Sequence, residues 1–423
     1  MFDRDRWQEI FHTLKKNKLR TFMTAFGVFW GIFMLIIMLG SGAGLENGVT
    51  SGMGKFATNS FFVWTNQTTI PYKGFPRGRR FNFRNDDIEA LRDNIPEIEY
   101  LSPKLQGWSR GDGNNNTVRN DRVGAFSIYG DYPQWNKIDP MDIIEGRFIN
   151  EIDIADKRKV AVIGTRVREI LFEPDEDPIG EYIKIQGVYF QVVGVFVPLN
   201  TNISFGGEKE QSIFIPFTTL QKTYNYGDVV GWFSITSIEN VPASEVEEKT
   251  LKFLAQRHSI HPDDEEAFGH FNLEENFQQM RGLFAGISGL IWIVGIGTLL
   301  AGVIGISNIM LVIVKERTNE IGIQRAIGAT PWNIMSQIVI ESVFLTTIAG
   351  YVGLVMGVGL VEAINYALIE FGADNEMFKR PEVDFNIAVT ALLVLILAGA
   401  LAGLIPARRA VRIKPIDALR SEK

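Results

Sequence analysis

Few stretches of this 423-residue chain carry residues whose types and spacing could do chemistry. His258, His261 and His270 fall close to Asp263, Asp264, Glu265 and Glu266, and imidazole with carboxylate oxygens can bind zinc. The run HSIHPDDEE lies between a helical and a strand pattern, where acidic solvated turns are ordinary, so no metal site is expected. The carboxylate pairs Glu173/Asp175 and Glu247/Glu248 read as solvated surface, and no nucleophile elbow is present. A phosphate-binding loop needs Gly-x-x-x-x-Gly-Lys followed by Ser or Thr. The nearest match is Gly54-Lys55, but Val49 occupies the first glycine position and Phe56 the hydroxyl position. Cysteine is absent, which excludes disulfides and thiol chemistry, and the net charge of −7 gives no reason to expect nucleic acid. The chain is therefore expected to have no catalytic residue and to bind no metal or cofactor itself.

One charged stretch is different, the segment KERTNEIGIQRAIGAT over 315–330. Lys315, Glu316, Arg317, Glu320 and Arg325 are its charges, and Ile321, Ile323 and Ile327 give a partial apolar face on a helix. Gly328 is placed to end that helix, and Pro331 restricts the residue before it. Long apolar runs flank it on both sides. Two readings stay open at this point: a loop that holds topology through its positive charge, or a short amphipathic helix that receives force from a soluble partner.

The elements that position this segment are four apolar blocks. Residues 1–20 form a basic amphipathic stretch with Trp7, Ile10, Phe11 and Leu14 at helical spacing, suited to a headgroup layer. The first span is expected at 21–43. Ser41, Gly42 and Ala43 resemble a cleavage site, yet the run of about 20 apolar residues exceeds the 7–15 of a signal sequence. A second span over 283–314 is about 45 Å long as a helix, beyond a hydrocarbon core of about 30 Å. Either it tilts strongly or its outer end stands above the membrane as a stalk. Two more spans are expected at 334–369 and 386–406, joined by a loop over 370–385. Basic residues mark 1–20, 315–333 and the tail 407–423, which carries Arg408, Arg409, Arg412, Lys414 and Arg420. The positive-inside rule then puts both termini in the cytoplasm and the block 44–282 outside.

Within the spans, Gly282/Gly286, Gly353/Gly357 and Gly399/Gly403 form Gly-x-x-x-Gly pairs that let helices approach closely. Glu341 is an ionisable residue near the cytoplasmic interface, within reach of snorkelling or pairing. The outer block reads as α+β. Strands are expected at 60–65, 97–101, 159–163, 182–185, 189–196, 212–216 and 232–238. Helices are expected at 85–94, capped by Asn85, Asp86 or Asp87, and at 244–258.

The run KERTNEIGIQRAIGATPWNIMSQIVIESVFLTTIAGYVGLVMG and the tail IPARRAVRIKPIDALRSE resemble the FtsX/MacB-like ABC transporter permeases. EGRFINEIDIADKRKVAVIGTRVREILF and DPIGEYIKIQGVYFQVVGVF are similar to the periplasmic core domain of the same family. The resemblance implies four transmembrane helices with a large extracytoplasmic α+β domain between the first and second. That domain would have a porter-like part and a strand-rich insert over about 104–223. The 315–333 segment would be a coupling helix on a cytoplasmic ABC ATPase, which would hold ATP and Mg. Glu316, Arg317, Glu320 and Arg325 would make polar contacts there, with Ile321, Gly322, Ile323, Ile327 and Gly328 shaping the packing. With only 20 residues ahead of the first span, an unfused permease subunit with a separate ATPase is expected, most simply as a homodimer in a bacterial inner membrane. Motion from the ATPase would pass along the second span to the periplasmic domain. Efflux of a drug, peptide or other periplasmic substrate would call for a periplasmic adaptor and an outer-membrane channel. The alternative is lipoprotein extraction or regulation of a cell-wall hydrolase.

Overall fold

The computed structural model describes residues 18–51, 56–107, 116–200, 207–370 and 378–413. The amphipathic stretch over 1–17, Gly54-Lys55, Asp374, Glu376 and the tail from Lys414 onward lie outside the described residues. The chain divides into two compact units, residues 51–281 and, together, 1–50 with 282–423.

In chain order, α1 (Lys18–Ser51) precedes β1 (Ser60–Thr65), β2 (Phe83–Arg84), α2 (Asn85–Asn94) and β3 (Ile98–Gln106). There follow β4 (Asn116–Arg119), β5 (Arg122–Ala125), β6 (Ser127–Asp131), α3 (Trp135–Ile138), β7 (Met141–Gly146) and α4 (Glu151–Ala155). Next are β8 (Val160–Gly164), α5 (Thr165–Leu171), β9 (Tyr182–Ile185), β10 (Val188–Pro198), β11 (Ser212–Pro216) and α6 (Phe217–Thr223). The α+β unit closes with β12 (Val229–Val230), β13 (Trp232–Ser237), α7 (Ala243–Arg257) and β14 (Phe268–Asn272). The remaining helices are α8 (Leu273–Glu316), α9 (Thr318–Ala326), α10 (Pro331–Glu370) and α11 (Phe385–Val411).

One sheet of twelve strands runs through the α+β unit in the order β14-β1-β13-β3-β6-β11-β8-β10-β9-β4-β5, with β7 also on β10. Its two halves share β3. Residues 98–104 of that strand pair with β13, whereas Leu105 and Gln106 pair with β6. The expected insert boundary at Lys104 therefore falls inside a strand, with no linker there. β8 (VAVIG) and β11 (SIFIP) are buried along their whole length, as near-continuous apolar strands are when both sheet faces are covered. The helix over 85–94 is not capped by its own Asn85 or Asp86. Arg84 takes the N-cap position, and Asp87 in the first turn accepts from the Arg84 N–H at 2.9 Å.

Two ion pairs lie near one another, one of them formed by Lys104 of the shared strand. Lys104 Nζ is 3.1 Å from Asp131 Oδ2, and Lys209 Nζ is 2.6 Å from Asp139 Oδ2. The Lys104 ammonium also lies over the Trp135 ring, 3.1 Å from its centroid, a desolvated cation–π contact. Burial lowers the Lys104 pKa to about 8 and raises that of Asp131 to about 6, each opposed in part by the partner's charge.

Among the described residues, four helices are long and apolar enough to cross a bilayer, within α1, α8, α10 and α11. The helices outrun the apolar blocks: α10 begins at Pro331 and α8 extends unbroken from Leu273 to Glu316. Hydropathy marks only the apolar part of a helix, and the polar turns beyond it keep the same backbone bonds. The core of this unit includes Ile32 and Ile36 of α1, Leu299 and Ile306 of α8, Ala349 of α10 and Leu395 of α11. The Lys379 N–H donates to Gly44 O at 3.0 Å and Asn47 Nδ2 to Arg380 O at 3.0 Å, tying the end of α1 to the chain ahead of α11.

Candidate functional site

The charged segment over 315–330 folds as the short helix α9 between the two central spans. Arg317, with φ −92° and ψ 14°, forms its N-cap and the junction with α8. Thr318 Oγ1 donates back to Lys315 O at 2.7 Å, satisfying a carbonyl at the end of α8. The other end closes at Gly328, whose φ of +111° suits a residue without a side chain, and the Ala329 N–H donates to Gln324 O at 3.0 Å. Thr330 then caps α10, its Oγ1 accepting from the Asn333 N–H at 3.3 Å, and Pro331 fills the first helical position.

Of the residues expected here, the structure turns some inward and leaves others on the surface. Ile321 and Gly322 are buried. The Arg317 side chain is 16% exposed, with Nε donating to Glu320 Oε2 at 2.9 Å and Nη1 lying 3.7 Å from Glu341 Oε2. Glu341 belongs to α10 and is 1% exposed. Arg325 uses Nη1 to donate to the carbonyls of Val411 and Ile413, 2.6 Å each. A cation at the last carbonyls of α11 also complements the negative end of that helix. The two arginines thus fasten α9 to α10 and α11, while its backbone follows directly from α8.

Outward, α9 presents Ile323 and Ile327, the latter 82% exposed, with Glu316 and Glu320 also on the surface. Trp332, at the start of α10, is 73% exposed. Sequence reasoning missed Trp332, although a large aromatic just after Pro331 in a polar inter-span segment was the available signal.

The glycine pairs separate into two groups. A Cβ on Gly353 would stand 2.6 Å from Phe29 O, and one on Gly357 2.9 Å from the Ile36 side chain, so α10 meets α1 there without room for a methyl group. Gly399 abuts Thr346 and Gly403 abuts Ser342, where α11 lies close to α10, and Ser342 Oγ donates to Gly399 O at 3.0 Å. A Cβ on Gly282 or Gly286 would meet open space, with no described side chain or neighbouring element within 4 Å.

The histidines of the α+β unit go to separate partners. His258 Nε2 lies 2.9 Å from Asp87 Oδ2, and His270 Nδ1 lies 2.7 Å from Glu247 Oε1. His261 sits edge-on to Tyr72. Asp87 is held below the usual carboxylate range: burial acts against this, but the bonds from His258, the Arg84 N–H and Arg257 outweigh it.

Four candidate spans among the described residues, an α+β domain between the first two in the chain, and a short braced helix after the second make up a multi-pass membrane-protein architecture. The model of the MacB-like periplasmic core domain matches residues 21–251, and that of the FtsX-like permease C-terminal region matches residues 292–415. The chain belongs to the FtsX/MacB-like family of ABC transporter permeases. It is 31% identical to the macrolide export ATP-binding/permease protein MacB of Chlorobaculum tepidum, over 98% of this chain and 61% of that protein. Its identity to MacB of Vibrio parahaemolyticus is 28%, over 98% and 60%, and to the pyoverdine export protein PvdT of Pseudomonas putida 29%, over 96% and 58%. The chain thus spans about three fifths of the length of these relatives. Among solved structures, the periplasmic region of MacB from Actinobacillus actinomycetemcomitans aligns with a TM-score of 0.43 at 16% identity, covering 55% of this chain and 97% of that one.

Proposed function

We propose that this chain is the permease subunit of an efflux ABC transporter and that α9 is the helix through which a separate cytoplasmic ATPase moves it. The observation that carries the reading is the bracing of α9. Its backbone follows α8, Arg317 reaches Glu341 of α10, and Arg325 holds the end of α11. A displacement of α9 is then a displacement of three spans, because packed elements move as bodies and do not deform continuously. Ile323, Ile327 and Trp332 supply the apolar surface for the ATPase, with Glu316 and Glu320 as the polar contacts. Arg317 and Arg325 take a positioning role in place of direct contact.

In this reading both termini and α9 face the cytoplasm, and the α+β domain is periplasmic. The chain works as a homodimer with two ATPase chains, which hold ATP and Mg. Gly282 and Gly286 are offered to the second copy. The α8 helix, about 66 Å over its 44 residues, carries motion outward. A periplasmic adaptor and an outer-membrane channel complete the export path, and the names of the relatives support export as the direction of work. The deciding experiment is ATP hydrolysis by the purified permease–ATPase complex with Arg317→Glu and Glu320→Arg introduced together. Loss of permease-stimulated hydrolysis with normal membrane insertion supports the coupling role, and unchanged stimulation refutes it.

A further inference from the structure

A cleft of about 840 Å³ opens in the α+β unit along one face of α7. Ser244, Glu247, Glu248, Leu251, Lys252 and Ala255 line it at helical spacing, a wall about 16 Å long. Its floor is apolar: Leu251 is half-buried, and Ile260 and Phe268 are buried. The facing wall includes β14, which among the described residues is the end strand of the sheet and pairs with β1 on one side only. The tip of the 68–79 loop, with Tyr72 and Lys73, borders the cleft.

The charge of this cleft is unbalanced in a particular way. Glu247 and Asp264 are both buried, yet neither pairs with Lys or Arg among the described residues. Glu247 accepts from Asn272 Nδ2 at 2.6 Å and pairs with the His270 ring. Asp264 accepts from the Thr69 N–H at 2.8 Å, the Thr69 hydroxyl at 2.7 Å and the Ile70 N–H at 3.0 Å. Burial would raise the Asp264 pKa, but those N–H and O–H donors lower it on balance, so it stays ionised. On the rim, Glu248 pairs with Lys252, while Glu265 has no ion-pair partner among the described residues. The lining sets four carboxylates, Glu247, Glu248, Asp264 and Glu265, against the two ammonium groups of Lys73 and Lys252, and this acid excess beside an apolar floor focuses a negative potential into the cleft.

We infer that this cleft binds an extended, basic peptide segment, with its cations toward Glu247, Asp264 and Glu265 and its apolar side chains on Leu251 and Phe268. The single-sided pairing of β14 lets such a segment add as a further strand, a mode in which backbone bonds give affinity and side-chain pockets give selectivity. Binding here does not depend on the coupling reading, since it requires neither nucleotide nor an ATPase.

The test uses the full chain in phosphatidylcholine nanodiscs and the fluorescence anisotropy of labelled Lys-Leu-Lys-Leu-Lys-Leu amide, with empty nanodiscs subtracted. The expected result is binding at least tenfold tighter than that of the Glu-Leu-Glu-Leu-Glu-Leu counterpart. Glu248→Arg with Glu265→Arg should weaken it at least tenfold, and Glu265→Arg alone at least threefold. Glu169→Arg, on the exposed face of α5, should leave it within twofold. Replacing the central Lys by Pro should weaken it at least fivefold, because proline lacks the donor that strand addition needs. Equal binding of the acidic peptide, or indifference to both rim variants or to the proline, would overturn the inference.

Discussion

The guanidinium of Arg317 stands 3.7 Å from the carboxylate of Glu341, joining the junction ahead of α9 to a nearly inaccessible acid in α10. Breaking a buried ion pair by removing one member costs on the order of 3 kcal/mol. Arg317→Ala should therefore lower the thermal stability of the detergent-solubilised chain, and Glu341→Gln combined with it should restore most of the loss. A double-mutant cycle reads the coupling directly. Additive effects would show that the two groups do not sense one another.

Arg325 holds the far end of the bundle. Arg325→Ala deprives the Val411 and Ile413 carbonyls of a charged donor, worth about 1.5–3 kcal/mol for such bonds. The expected outcome is faster amide exchange over the last turn of α11, together with reduced stimulation of the partner ATPase. Arg325→Lys should recover only part of either effect, since an ammonium lacks the fork of the guanidinium.

Ile323→Asp and Ile327→Asp should behave in the opposite way. Both positions are exposed, so stability should stay within about 0.5 kcal/mol of the parent. Association with the ATPase should nevertheless fall at least tenfold, measured by co-purification at matched expression. Retained association would move the docking surface elsewhere.

The buried pair in the α+β unit predicts a pH profile. Asp131 titrates near 6 when folded, above its ordinary 3.8, so its favourable contribution exists below about pH 4 and is lost as pH rises through 6. Lys104 titrates near 8 when folded, below its ordinary 10.5, so its contribution exists above about 10.5 and is lost as pH falls through 8. Between pH 6 and 8 both charges are buried at their greatest cost. Lys104→Met with Asp131→Leu should therefore raise the urea midpoint most in that window and least at pH 4.5, followed by tryptophan fluorescence of the full chain. Lys104→Met alone should lower it at pH 7, because Asp131 is then left without its cation.

Much of the architecture was open to reading because it rests on local pattern. A run such as IAVTALLVLILAGALAGL has one stable environment, and a strand such as SFFVWT or SIFIP has few alternatives to a buried sheet position. The helix over 85–94 showed through in the same way, and of its three cap candidates Asp87 makes the capping bond, acting from inside the first turn. The short elements α3 to α6 and the strands β2, β4 to β7, β12 and β14 escaped assignment, since few residues in each leave little pattern to read.

Sequence alone determined the membrane class, the four spans, the α+β block and the position of a charged helix between the central spans. Each follows from hydropathy, charge placement and turn residues within a few positions of one another. Only the tertiary structure decided what the charges of α9 do. Arg325 meets Val411 across 86 positions, and Arg317 meets Glu341 from a different helix. Arg, Glu and Ile at helical spacing read alike whether they face a partner or the chain's own bundle, because burial and pairing are set by neighbours that no local period reveals. Packing alone turned the arginines inward and left Ile323, Ile327 and Trp332 outside.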